Sequence, residues 1–172
     1  GLVCAYNFKR SGNSVLDISG NNQTATIGGT GVFQTRDGLK LTKRVDKITT
    51  PITDNSYFTN GFTICMDLII YDYTGYGGYY CRLVEKSTTS PGGEGFGIAY
   101  YSDNISLLLL GKNVILFSSS IIPINTKAQL IITFTKTAPT TTTVKCYVNG
   151  RVVYSQAIAS SLQFITDKPM MI

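Results

Sequence analysis

The sequence predicts an all-β chain folded as a two-sheet antiparallel β-sandwich of jelly-roll type. Three observations carry that expectation. Helix-period patterns are almost absent, while period-2 alternation and β-branched residues recur in short runs. Gly, Pro, Asn and Ser punctuate those runs at intervals suited to short antiparallel strands. About a dozen such runs fall within 172 residues, enough for two stacked sheets in a single domain, residues 1–172.

The chain opens with the strand-like "LVCAYNF" and passes into the long turn region "SGNSVLDISGNNQT". There Asp17, Ser19, Gly20, Asn21 and Asn22 supply turn chemistry. Short strands follow in "GLKLT" and "DKITTPI", then a long one in "GFTICMDLIIYDY". In the long strand Phe62, Ile64, Met66, Leu68 and Ile70 share one parity and are expected to face the core. Thr63, Cys65, Asp67, Ile69 and Tyr71 take the other face, whose mixed character predicts a strand inside a sheet with a partly covered outer side. "YYCRLVEK" is expected to pair back on it as a hairpin across "YDYTGYGGYY", residues 71–80. "GFGIAYY", "ISLLLLG" and "NVILFSS" read as a meander. "AQLIITFTK" and "TTVKCYVNG" form a hairpin with Pro139 at its tip, and Asn149–Gly150 suits a type I′ turn into "RVVYSQAI".

Composition narrows the function classes. Apolar residues make up 43% of the chain and charged residues 15%, which excludes a disordered chain. No apolar run nears the roughly 20 residues of a bilayer span, so membrane insertion is not expected. The net charge of +5 comes from scattered Lys and Arg, with one short cluster in "LTKRVDK" that Asp46 interrupts. No RNP-type aromatic motif or basic helix accompanies it, so no nucleic-acid partner is expected. A start on Gly1 without a charged-then-apolar leader suggests a processed or partial chain. Cys4, Cys65, Cys81 and Cys146 lie far apart in strand-like runs, without a C-x-x-C pair or any histidine. Buried free thiols are therefore expected in preference to zinc ligands or disulfides.

The ordered series "GLVCAYNF…VLDISGNNQTATIGG…GLKLT…FTICMDLII…LVEK…GFGIAY…AQLIITF…VKCYVNGRVV" resembles the laminin-G-like, concanavalin A-like lectin/glucanase superfamily. The match runs through nearly the whole chain, and it implies a concanavalin A-like sandwich. The departures concern function. The family's Trp in the long strand falls near Asp67, its Trp-His pair near Lys127 and Ala128, and its turn acid after "Y-V" is Asn149 here, so no role carries over to these positions. Asp17 matches a turn acid that in some members lies near calcium. Members usually continue past "KPMMI" to a final strand beside the first. That strand is expected to lie beyond Ile172 or to come from a partner, leaving "LVCAYNF" otherwise with an open edge.

Catalytic signals are missing. Glycoside hydrolysis needs paired carboxylates, and the two glutamates, Glu85 and Glu94, do not form the strand motif of the glucanase branch. Without histidine there is no Ser-His-Asp or Cys-His arrangement, so no enzyme is expected. Calcium could draw on Asp17 and Asn21, with Asn22 nearby, but an Asx-turn network without metal explains the same residues, and no cofactor is expected. The remaining candidates are aromatic: Tyr71, Tyr73, Tyr76, Tyr79 and Tyr80 in the glycine-rich segment, and Tyr100 with Tyr101. Tyrosine suits sugar stacking and protein contacts alike. The expectation is a surface module of an extracellular assembly or virion, with protein neighbours in an oligomer or particle. The alternative is a lectin-like module that binds a surface glycan.

Overall fold

The computed structural model of the chain describes residues 1–43, 45–71, 81–87, 94–101 and 103–172, with Tyr101 given by its backbone alone. Strands β1 (Tyr6–Ser11), β2 (Ser14–Asp17), β3 (Ala25–Gly28) and β6 (Lys47–Thr49) form an antiparallel array in the order β1-β2-β3-β6. Strands β8 (Cys81–Lys86), β9 (Phe96–Tyr101), β10 (Asn104–Leu109) and β11 (Lys112–Ser118) form a meander. A third array runs β14-β13-β12-β7, from β14 (Arg151–Ile158) through β13 (Thr141–Val148) and β12 (Lys127–Ala138) to β7 (Gly61–Ile69). Strands β4 (Val32–Thr35) and β5 (Gly38–Leu41) pair as a separate hairpin. Among the described residues the only helical turns are 3-10 turns at Asn55–Phe58 and Ser119–Ile121.

Residues 170–172 join the first two arrays into one large sheet. Met171 exchanges both backbone hydrogen bonds with Glu85 of β8, at 2.7 and 2.8 Å. On its other side, Ile172 exchanges bonds with Ile48 of β6, and Met170 accepts from Thr50 and donates to Ile52. The large sheet packs against β14-β13-β12-β7, the small sheet. Ile98, Leu107, Leu109 and Leu116 share one core with Leu130, Ile132, Val144 and Cys146. At one end Phe62 stacks on Phe134 with centroids 4.2 Å apart, and Phe58, Phe96 and Phe164 close around the pair. Each such buried side chain contributes roughly 1.5–3 kcal/mol relative to exposure. A satellite core of Val15, Ala25, Ile27, Val32 and Ile48 binds the β4–β5 hairpin to the large sheet, and Ile172 packs on it.

Lys86, at the end of β8, is fully buried. Its ammonium donates to the carbonyls of Thr53 and Lys168, both at 2.9 Å, and to that of Thr166 at 3.5 Å. It also lies 5.8 Å from the Phe58 ring centroid, within cation–π range. Burial lowers its pKa, against the attraction of Asp167 and Asp54. The lysine thus ties the chain before residue 170 to the segment before the Asn55–Phe58 turn. Gly95 must stay small here, because a Cβ would sit 1.8 Å from the Lys86 carbonyl oxygen.

The period-2 reading holds in detail. Phe62, Ile64, Met66, Leu68 and Ile70 pack on the core, and Thr63, Cys65 and Asp67 are exposed. The β12–β13 hairpin forms in the register Leu130↔Val148 to Ala138↔Thr141, and Asn149 and Gly150 turn with φ of 49° and 79°. Three expectations change. β7 lies at the end of its array among the described residues, which leaves its inward side chains only half-buried. β7 and β8 belong to different sheets, so the chain crosses the sandwich between them instead of forming a hairpin. Residues 170–172 pair in the middle of the large sheet, between β6 and β8, which the sequence pattern did not indicate. All four thiols are free as expected, yet only Cys146 is buried; Cys65 and Cys81 are exposed and Cys4 is intermediate.

Asp17 organises the turn after β2. Its Oδ1 accepts from the backbone N–H groups of Ala5 and Ser19, and its Oδ2 accepts from the Ser19 hydroxyl and the Gln23 N–H. Partial burial works to raise its pKa, but these donors from Ala5, Gln23 and Ser19 outweigh it and hold the carboxyl well below the usual aspartate range.

Two predictions follow from these anchors. Lys86→Ala leaves buried carbonyls unpaired and opens a cavity, a loss of about 3–5 kcal/mol. Differential scanning calorimetry should show Tm lower by roughly 10 °C or more; an unchanged Tm would mean that the lysine does not hold the sheets together. Because the folded pKa of Asp17 is depressed, its stabilisation is present above the unfolded value of about 3.9 and is lost as pH falls below it. Asp17→Asn should therefore flatten the acid limb of stability measured by urea titration below about pH 4. Parallel acid limbs for the two proteins would contradict this role.

Candidate functional site

Of the tyrosines that the sequence singled out, the structure describes the side chains of Tyr71 and Tyr100. Tyr71 lies two residues past the end of β7 and is exposed, with the Lys40 ammonium 4.1 Å from its ring centroid. Lys40 is on β5, so the entry to the glycine-rich segment rests against the β4–β5 hairpin. Tyr73, Tyr76, Tyr79 and Tyr80 lie outside the described residues. Tyr100 does not reach the surface: it is 6% exposed, packs in the main core and donates its hydroxyl to Asp103 at 2.9 Å. Burial first, and the Asp103 bond second, push its pKa up. Tyr101 follows it on β9, with only its backbone described.

The residues considered for calcium are engaged otherwise. Four hydrogen-bond donors already occupy the Asp17 carboxylate. Asn21 turns its amide nitrogen, not its oxygen, toward the chain start, donating to the carbonyls of Leu2 at 2.6 Å and Val3 at 3.2 Å. Both residues thus fasten residues 2–5 to the turn. No group of three or more acidic, Cys or His side chains suited to a metal ion occurs among the described residues.

The outer face of the small sheet carries a surface that the sequence reading passed over. Alternation sends Val144, Cys146 and Val148 inward, and Lys145 and Tyr147 outward. Register then aligns side chains across the strands. Thr63, Thr133, Lys145 and Ser155 form one row, and Cys65, Ile131, Tyr147 and Val152 the next. A shallow groove of about 450 Å³ runs over this face, lined by Asn60, Thr63, Thr133, Thr135, Lys145 and Tyr147 among others. It offers an aromatic ring, three threonine hydroxyls and one ammonium, with no carboxylate among its lining residues. Such a set can stack on an apolar ring face and bond to hydroxyls. It holds no acid–base pair. The period-2 pattern of "KCYVNG" already contained the signal, because it separates Tyr147 from the buried Cys146, whose thiol pKa burial pushes up to about 12.

Positions where the resembled family carries Trp and Trp-His hold an exposed ion pair instead. Lys127 Nζ lies 3.5 Å from Asp67 Oδ2. Two exposed charges at that distance contribute about 0–1 kcal/mol, so the pair marks surface chemistry more than stability. Asn149, in place of the family's turn acid, accepts from the Gln129 N–H at 2.9 Å and so fixes the β13–β14 turn against β12.

No protein-family model matches the chain, and no curated protein sequence does. Solved structures do share its fold. A mutant of HCR/D superposes with a TM-score of 0.68 at 19% identity, covering 99% of this chain and 42% of that one. The binding domain of botulinum neurotoxin serotype G superposes with a TM-score of 0.65 at 17% identity, covering 99% of this chain and 46% of that one. The chain therefore spans less than half the length of either neighbour. At these identities the likeness concerns architecture: the chain shares the all-β fold of a part of each of these two structures.

Proposed function

We propose that this chain is a non-catalytic recognition module of an extracellular or particle-borne polypeptide, and that it captures a glycan on the outer face of the small sheet. One observation carries the reading: Tyr147, Thr63, Thr133, Thr135 and Lys145 line a single open groove. A pyranose has an apolar face and a rim of hydroxyls. The Tyr147 ring matches the first, and the threonine hydroxyls and Lys145 match the second. A flat, rigid sheet holds these groups without the ordering cost of a loop. The resemblance to lectin-like sandwiches points to the same ligand class, and the binding-domain neighbours support a role in recognition. Fold alone assigns no function, so the site has to carry the argument.

A second reading rests on the adjacent row. Cys65, Ile131, Tyr147 and Val152 set an apolar stripe across the same face, with Val152 57% exposed. Such a stripe also suits a flat contact with a neighbouring subunit, as a structural component of an assembly would need.

A glycan array distinguishes the two. Saturable capture of a neutral sugar is expected, weakened about 30-fold by Tyr147→Ala, as for truncation of an aromatic anchor. Lys136→Ala, away from the groove, should leave it unchanged. Absence of any captured sugar, together with oligomers that Val152→Asp disperses, would replace the glycan reading with the assembly reading.

A further inference from the structure

At the β1 edge of the large sheet the strand departs from regular pairing. Tyr6 pairs with Asp17 and Arg10 with Val15, so three residues of β1 oppose a single residue of β2. Within this bulge Phe8 adopts φ of +53°, a left-handed conformation that is costly for a bulky side chain. The Asn7 side chain closes the bulge by accepting from the Lys9 N–H at 3.0 Å. Bulges of this kind re-aim side chains, and strained backbone concentrates where a ligand is held.

The side chains they aim are basic. A groove of about 390 Å³ runs between the bulge and the β4–β5 turn, lined by Lys9, Arg10 and Arg36, with Asn7, Gln34 and Asp37. Its cations outnumber its one acid, Asp37. The walls are braced: Gln34 accepts from the Arg10 N–H at 2.7 Å and donates to the carbonyls of Thr35 and Gly38. Arg10 is itself oriented, with Nε donating to the Gly12 carbonyl at 2.5 Å and Nη1 to that of Val32 at 3.4 Å. That leaves guanidinium N–H groups to bond an anion from a fixed position.

We infer that this groove binds the sulfate groups of a sulfated sugar chain, as a charged subsite on a different sheet from Tyr147. The inference deepens the recognition reading and rests on it for the class of ligand. Sulfate esters stay ionised at all working pH values and accept the forked hydrogen bonds of arginine. Other polyanions fit less well. Single-stranded nucleic acid needs aromatic rings on which bases stack, and the groove's lining contains none. A lipid surface calls for apolar side chains beside the cations, and the lining contains none of those either.

Isothermal titration with a heparin-derived hexasaccharide, its desulfated form, a single-stranded oligonucleotide and anionic phospholipid vesicles tests the assignment. The sulfated hexasaccharide is expected to bind, and Lys9→Ala/Arg36→Ala to weaken it about tenfold or more. Lys136→Ala/Arg151→Ala removes the same charge elsewhere and should leave affinity unchanged. Equal weakening by both double variants would reduce the effect to net charge and overturn the inference. Equal affinity for the desulfated sugar, or tighter binding of the oligonucleotide or vesicles, would overturn it as well. Tyr147→Ala separates the two readings. Neutral-sugar capture that it abolishes, with no response to the sulfated hexasaccharide, defeats the charged subsite alone. Hexasaccharide binding that depends on Lys9 and Arg36 while no neutral sugar is captured defeats the Tyr147 site alone.

Discussion

The insertion of residues 170–172 between β6 and β8 is the constraint on which the rest of the architecture depends. Without it, the β1-β2-β3-β6 array and the β8-to-β11 meander would each end in an open edge. An unpaired edge inside a sandwich leaves backbone groups without partners at a cost comparable to lost hydrogen bonds. The segment satisfies both edges at once. Buried Lys86 holds its approach through the Lys168 carbonyl, and Thr50 binds the Met170 carbonyl with its hydroxyl as well as its N–H. Ile172 then packs on the satellite core, so one short stretch joins two sheets and two cores.

Local periodicity made part of this legible. The meander, the β12–β13 hairpin, the Asn149–Gly150 turn and the parity of β7 all follow from side-chain alternation and turn chemistry, which act over a few residues. The placement of β7 and β8 on opposite sheets does not. Both strands carry similar apolar patterns, and nothing in residues 61–86 distinguishes a hairpin from a crossover. The insertion of residues 170–172 was hidden for the same reason, since pairing of Met171 with Glu85 spans half of the chain. Lys86 left one local trace: it shares the parity of the buried Val84, which put a charge on the inward side of a strand. On the candidate sites the outcome is similar. Counting tyrosines pointed to residues 71–80, Tyr100 and Tyr101, yet Tyr100 lies on a strand buried in both parities, while alternation in β13 turns a half-buried Tyr147 outward.

The two sheets present different surfaces. On β10 every residue from Ile105 to Leu109 is buried, and on β9 Phe96 to Tyr100 are buried in both parities. The middle of the large sheet is therefore covered on both sides, as near-continuous apolar runs imply. The small sheet is covered on one side only, and its outward rows alternate polar and apolar across four strands. Among the described residues, the distribution of the core leaves that face as the broad, flat one. Side chains in its groove are held by ladders that the core fixes from behind.

The β1 edge obeys a different logic. A regular β1 would pair with β2 along its length and place Phe8 in the extended region that bulky residues prefer. The chain instead keeps a bulged strand with a left-handed phenylalanine, and still closes the satellite core with Tyr6 and Phe8, whose ring centroids are 6.1 Å apart. The ring that anchors the bulge is thus half-buried against the satellite core, while Lys9 and Arg10 next to it are exposed. An edge blunted by a bulge and basic side chains also resists pairing with another chain, which natural edge strands need. Protection of the edge accounts for the bulge and the charge. It does not account for the Gln34 brace or for the Arg10 guanidinium held by two carbonyls, because repulsion needs no fixed geometry. A guanidinium held in place is what the proposed sulfate subsite would use.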